Sequence, residues 1–366
     1  MATNNTTIDQ FLQPVETNAS SILDLKELLE KEMTRPLLTA LLMAFAYSII
    51  FLVCLVGNLI VCVMILKSKR TTSATDYFIF NLAICDLLVG IFCIPFTLVS
   101  HVFPVLSLGP FACKFIPLAQ GVAVGASVFT LMAIAYDRYR LVIHPSNSKA
   151  PVKYWASILA GVWVSAVSIM VPQAIVREEI SHLLPGGHIK VCQEFWPSYT
   201  QQQAYSAALL ACCYLGPLVI SACLYLMVAV TLRRRKSTNN TMHASQRFNK
   251  VTKMLVIVIV LFTLSWIPLY ACWMVEDFGE LTPPQRIILH DYVYPFAHWL
   301  AFSNSCVNPL LYGYFNKSLR KRFRDSLVRR SDNEITGGNI SLKIKANVNR
   351  KAILKYRRNS NKPLDR

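Results

Sequence analysis

NLAICDLLVGIFCIPF, residues Asn81–Phe96, is a long apolar run with a single carboxylate, Asp86, near its centre. A soluble helix would keep that charge on a wet face, but no polar stripe runs through this stretch. An aspartate held at the middle of a membrane helix costs roughly 2.5–3.5 kcal/mol on insertion scales. It must then face a protein interior with partners, so the stretch reads as one member of a helix bundle.

The rest of the chain agrees with lipid as part of the solvent. Of 366 residues, 54% are hydrophobic and only 16% charged, and the mean hydropathy is +0.41, too apolar for an ordinary water-soluble globule. A membrane helix needs roughly 20 mostly apolar residues. Windows of that kind recur at Leu37–Leu66, Asp76–Leu98, Phe111–Val142, Tyr154–Val171, Tyr205–Leu232, Val251–Val275 and Ile287–Tyr312. The expected fold is therefore all-α: a seven-transmembrane helix bundle over 36–314, after an N-terminal tail, 1–35.

Charge sets the expected orientation. Lys67, Lys69 and Arg70 follow the first span, Arg233, Arg234, Arg235 and Lys236 the fifth, and Lys317, Arg320, Lys321, Arg322 and Arg324 the last. By the positive-inside rule those ends are cytoplasmic and the N-terminus is extracellular. The tail agrees, since Asn4, Asn5 and Asn18 each open an N-x-[ST] glycosylation sequon. It has no apolar h-region, so the first span serves as the targeting signal. After the seventh span, Phe315, Leu319, Phe323 and Leu327 form an apolar stripe with basic residues between them, which predicts a short amphipathic cytoplasmic helix over 315–330 on membrane lipids. The basic tail 331–366 is expected to be disordered. The net charge of +17 is concentrated at these membrane boundaries, where it meets anionic head groups, so no nucleic-acid partner is expected.

The eleven cysteines fall into two groups. Cys54, Cys62, Cys85, Cys93, Cys212, Cys213, Cys223, Cys272 and Cys306 lie in apolar spans and read as small buried hydrophobes. Cys113 and Cys192 lie on the outer side and can pair as a disulfide. Within the spans, Ser127, Asn304, Ser305 and Asn308 offer Asp86 neutral oxygens and amides with no Lys or Arg nearby, chemistry suited to a small hydrated cation or a proton.

Further landmarks recur in order: Gly57–Asn58, Asn81–Asp86, the DRY triplet Asp137–Arg138–Tyr139, Trp163, Pro217, FTLSWIP at Phe262–Pro268 and NPLLY at Asn308–Tyr312. Together they resemble the rhodopsin-like family of G-protein-coupled receptors. The resemblance implies a sodium ion, an allosteric modulator, at Asp86 with Ser127, Trp266, Asn304, Ser305 and Asn308. It also implies that Asp137 restrains Arg138 at rest, that Tyr139 belongs to the same coupling triplet, and that Tyr225 and Tyr312 support Arg138 toward a heterotrimeric G protein. Arrestin and a receptor kinase are further implied partners.

Phe302 stands where a visual pigment would need a lysine, and Gln120 where amine receptors carry an aspartate, which argues against retinal and amines. Closer text, CQEFWP at Cys192–Pro197, EDFGELTP at Glu276–Pro283 and the run Tyr292–Asn316, looks like the neuropeptide FF receptors, whose agonists end in Arg-Phe-amide. That resemblance implies inhibitory G-protein coupling at the plasma membrane. A neutral C-terminal amide suits Thr97, Gln120 and His298. The peptide guanidinium needs a carboxylate, which the resemblance places at Glu194 and Asp277, and its phenyl ring suits Trp266, Tyr270 and Phe302. A neuropeptide Y-type amidated peptide is the alternative ligand. A transporter, the reading from another class, would show internal repeats or broken midplane helices that this chain lacks, and no catalytic motif points to an enzyme.

Overall fold

The computed structural model describes residues 36–67, 74–103, 108–144, 151–184, 187–238 and 242–315. The sequons, the amphipathic segment 315–330 beyond its first residue and the tail 331–366 lie outside them. Seven helical runs follow one another: α1 Leu37–Leu66, α2 Ala74–Val102, α3 Pro110–Ile143, α4 Val152–Ile175, α5 Tyr199–Leu209 continued by Gly216–Thr238, α6 Met242–Phe278, and α7 Pro283–Ile288 continued by Tyr294–Phe315. Each covers one of the seven apolar windows. Between α4 and α5 an antiparallel hairpin, β1 Arg177–Leu184 and β2 Gly187–Glu194, stands where sequence alone indicated only a loop.

Six of these runs are long and apolar enough to cross a membrane. The seventh is not, because His298, Ser303, Asn304, Ser305 and Asn308 lower its hydropathy; those polar groups point into the bundle rather than disqualifying the helix. The outward faces show what surrounds them: Leu41 is 58%, Phe45 69% and Leu52 59% exposed on α1, a surface stable only against lipid. Cys212 and Cys223 also lie on the exposed face of α5. This corrects the expectation that all nine span cysteines are buried, for a thiol is apolar enough to face lipid tails as readily as a core.

Inside, polar side chains tie helix to helix, as expected where lipid removes the usual hydrophobic drive for helix association. Asn81 Nδ2 donates to Thr130 Oγ1 at 2.8 Å on α3, while its Oδ1 accepts from Trp163 Nε1 at 3.0 Å on α4. One side chain thereby joins three helices. Asn58 Nδ2 donates to Ser305 O at 3.0 Å, Tyr47 Oη to Pro295 O at 2.7 Å and Trp299 Nε1 to Ala46 O at 3.1 Å, so α1 and α7 are fastened along their length. The Arg140 guanidinium lies 5.0 Å and 5.1 Å from the ring centres of Tyr154 and Trp155, pinning α3 to α4.

Small residues set how closely the helices approach. A Cβ on Gly57 would lie 3.0 Å from Cγ of Pro309, whose ring cannot rotate away, whereas one on Gly161 would meet nothing within 4 Å. Gly57→Ala is therefore expected to lose about 1–3 kcal/mol to overpacking, read as a lower thermal midpoint in detergent. Gly161→Ala should leave the midpoint unchanged or raise it slightly. Equal midpoints for the two variants would refute this account of the α1–α7 contact.

Among the described residues three wide π turns interrupt the helices, at Val89–Cys93 in α2, Leu210–Leu215 in α5 and Leu289–Val293 in α7. Such turns loosen the backbone ladder and free its groups for other partners. The first of them supplies a partner for Gln120.

Candidate functional site

At the end of the bundle that carries the hairpin, the helices diverge around a cavity of about 1750 Å³. Small-molecule pockets hold roughly 300–1,000 Å³, so this one has room for several residues of a peptide. The hairpin is held over it by a disulfide between Cys113 on α3 and Cys192 on β2, with Cα atoms 5.6 Å apart. The pairing anticipated from topology is thus present.

Gln120 lies on the wall, and its Nε2 donates to Phe92 O in the α2 π turn at 2.8 Å and to Thr97 Oγ1 at 3.4 Å. A backbone carbonyl only accepts, so the amide nitrogen is committed toward α2 and Oε1 is the atom left for a ligand. Thr97 does not reach the wall. It is buried behind Gln120 and absent from the cavity lining, which corrects the expectation that it meets the peptide amide: it positions the glutamine instead. His298 does line the cavity, with Nδ1 2.9 Å from Tyr294 O and 3.3 Å from His101 Nε2, and its ring stacks on Tyr294. Trp266, Tyr270 and Phe302 line the same space. Tyr270 stacks on Tyr214 at 4.7 Å between centroids, and Trp266 stacks on Phe262 below it at 5.6 Å.

The two carboxylates expected to receive a guanidinium differ in state. Glu194 Oε1 accepts from Arg177 Nη2 at 2.6 Å and Gln173 Nε2 at 2.5 Å, and its Oε2 accepts from Trp196 Nε1 at 2.9 Å. Both oxygens are occupied and the charge is already met. The resemblance assigns Glu194 to a ligand guanidinium; here β1 and β2 pair in a register that sets Arg177 directly opposite it. Asp277, buried at the top of α6, accepts from the neutral Gln202 Nε2 at Oδ1, at 2.9 Å, and from the Ser206 hydroxyl, and has no Lys, Arg or His partner among the described residues. Its backbone carbonyl accepts from Tyr199 and from Gln203 Nε2 at 2.9 Å, so the first turn of α5 fixes its place. The neighbouring Glu276 is bonded to Tyr294 and lies 3.0 Å from His290 Nε2. Sequence reasoning missed Arg177, Gln173, Trp196 and Gln202, whose importance depends on contacts that only the hairpin and helix ends create.

Deeper in the bundle Asp86, Ser127, Trp266, Asn304, Ser305 and Asn308 line one small space, with about 10 Å³ for the centre of a water molecule. That is about enough for one small hydrated guest. Asn308 Nδ2 donates to Asp86 Oδ2 at 2.8 Å. Ser127 Oγ and Asn308 Oδ1 are buried without a hydrogen-bond partner, and unmatched acceptors beside a carboxylate fit a hard monovalent cation. Trp266 borders both this space and the larger cavity.

At the opposite end, Arg138 Nη2 lies 3.2 Å from Asp137 Oδ2, with both side chains nearly sealed from solvent, and the guanidinium also bonds Thr75 on α2. Tyr139 packs edge-on against His144, and Tyr225 is buried with its hydroxyl unpartnered. The Tyr312 side chain lies outside the described residues.

A seven-helix bundle with a wide cavity at one end, a sealed carboxylate at mid-depth and a shielded aspartate–arginine pair at the other end is the architecture of a multi-pass membrane receptor. The chain belongs to the 7 transmembrane receptor (rhodopsin family) group, matching it over residues 57–312; it is a receptor and not an enzyme. It is similar to neuropeptide FF receptor 2 of Rattus norvegicus, 39% identical over 307 residues, 80% of this chain and 73% of that one. It is 39% identical to neuropeptide FF receptor 1 of Homo sapiens over 293 residues, 76% and 68% of the two chains. Neuropeptide Y receptor type 2 of Homo sapiens is 33% identical over 322 residues, 86% and 82% of the two.

Proposed function

We propose that this receptor binds an amidated peptide ending in Arg-Phe-amide from outside the cell and activates a heterotrimeric G protein of the inhibitory class. The likeness to neuropeptide FF receptors supports the peptide class. The observation that carries the reading is Asp277, a carboxylate at the mouth of a peptide-sized cavity with only neutral partners. A guanidinium entering there gains a charge-assisted, bidentate contact that no described side chain supplies. Gln120 Oε1 then accepts from the terminal amide, and the aromatic wall of Trp266, Tyr270 and Phe302 takes the phenyl ring.

Pressure on Trp266 provides a route inward, since its indole borders both cavities and stacks on Phe262. Pro268, six residues beyond Phe262 and within α6, removes a backbone hydrogen bond and lets the helix pivot. A shift of α6 would open the cytoplasmic face around Arg138, where the G protein docks. Sodium held by Asp86, Ser127, Asn304, Ser305 and Asn308 would favour the resting arrangement. Arrestin, a receptor kinase and inner-leaflet lipids are proposed as further partners on that face.

The test is G-protein activation in transfected cells by one peptide ending in Arg-Phe-amide and by the same peptide as its free acid. The acid should be at least about 30-fold weaker, since a carboxylate facing Gln120 Oε1 loses a donor and buries a charge (~2 kcal/mol). Equal potency would overturn the assignment of the floor. Silence of both peptides at a receptor proven to be on the surface would overturn the ligand class, and a response only to the Arg-Tyr-amide analogue would favour the neuropeptide Y-type reading.

A further inference from the structure

Four carboxylates, Glu194, Glu276, Asp277 and Glu280, line the cavity; of the two that sequence assigns to a ligand guanidinium, Glu194 and Asp277, only Asp277 lacks a cation among the described residues. Arg177 and Glu194 face each other across the last rung of the hairpin, 2.6 Å apart, with side chains 26% and 29% exposed. Gln173 from α4 and Trp196 beyond β2 complete the shell around the carboxylate. Phe195 N donates to Val176 O at 2.7 Å, and the disulfide at Cys192 fixes β2 two residues away, so neither partner is on a free loop. Arg177 thus sits on Glu194 in the manner of a peptide arginine.

We infer that Arg177 is a specificity-determining residue: as a built-in guanidinium it occupies Glu194, so that the receptor reads one ligand arginine, at Asp277, and is indifferent to a second basic residue beside it. The inference rests on the Arg-Phe-amide reading. Its physical content is a charge balance. With Arg177 in place the pair is neutral and exerts little field on the peptide. With Arg177 neutralised, Glu194 becomes a second acceptor for a cation. With Glu194 neutralised instead, Arg177 becomes an uncompensated positive charge at the mouth and repels one. The two single variants therefore act in opposite directions, which a merely structural role of the pair would not produce.

Two peptides serve as probes, one ending in Arg-Arg-Phe-amide and one in Gln-Arg-Phe-amide, and the readout is the ratio of their potencies in G-protein activation, with surface labelling of every variant. The wild-type ratio is expected near one. Arg177→Gln should favour the Arg-Arg peptide by about tenfold, the effect of one close charge pair of modest exposure. Glu194→Gln should disfavour it by a similar factor, and Arg177→Gln/Glu194→Gln should return the ratio to near one. Arg177→Lys, which keeps the charge, should leave the ratio as in wild type. If Arg177→Gln fails to reach the surface, the Glu194→Gln ratio decides alone. A ratio that stays at one in both single variants, or moves the same way in both, overturns the inference while leaving the Arg-Phe-amide reading intact. Silence of both peptides on wild-type receptor overturns that reading and this inference with it.

Discussion

Asp277→Asn is expected to weaken a peptide ending in Arg-Phe-amide by about 100-fold, within the ~2–5 kcal/mol usual for removing one charge of a hydrogen-bonded interfacial pair. Asparagine is the informative replacement because its Oδ1 can still accept from Gln202 Nε2, now at 2.9 Å. The backbone contacts from Tyr199 and Gln203 do not depend on the side chain at all. Besides the charge only the Ser206 contact changes, and its hydroxyl can turn to accept from the new amide, so the local fold is retained and surface expression should match wild type. The decisive comparison replaces the peptide arginine by citrulline, which keeps the shape and removes the positive charge. Citrulline should cost wild type about the same 100-fold, and Asp277→Asn almost nothing further, since each change alone already breaks the pair. Additive losses, 100-fold from each change independently, would mean that the peptide arginine binds elsewhere. Glu276 is the natural rival, and its engagement by Tyr294 and His290 is the reason Asp277 is favoured.

How much of this was legible in the sequence follows from what each feature depends on. Helices and their order were legible because lipid demands long apolar runs and leaves polar residues as landmarks. The Asp86 cluster was legible for the same reason: a carboxylate in such a run has to find partners, and few were on offer. The ends of elements were not. Residues 177–194 are mixed in polarity and lie outside any membrane run, so the hairpin registers only weakly, although Pro185-Gly186-Gly187 is a turn signal in the text. Without the hairpin register nothing sets Arg177 opposite Glu194, and Glu194 reads as an open carboxylate. Thr97 was misplaced for a related reason. Its depth depends on the π turn at Val89–Cys93, which shifts the helix face by part of a turn and leaves no mark in hydrophobic periodicity. Gln120 was legible as a candidate contact for a terminal amide, but which of its two polar atoms faces the cavity is decided by Phe92 O, a backbone atom that no side-chain motif reports.

Asp86→Asn should abolish the dependence of agonist affinity on sodium. In wild type, exchanging choline for sodium is expected to lower agonist affinity by about 5- to 150-fold, the usual range for coupled sites. The exchange must be made at constant ionic strength, because a cationic peptide drawn to a carboxylate is weakened by any salt through screening alone. Asparagine at 86 can still accept from Asn308 Nδ2, so the α2–α7 contact at 2.8 Å survives while the charge that holds the cation is gone. Ser127→Ala removes one of the two unpartnered oxygens and should reduce the sodium effect without eliminating it, a graded result that a general loss of packing would not give. Because coupling is reciprocal, the agonist must weaken sodium by the same factor; Trp266, which borders both spaces, is the physical element able to carry it. A sodium response in Asp86→Asn equal to that of wild type would assign the effect to screening at the mouth, and the space beneath Trp266 would then be a packed polar cluster with no ion to hold.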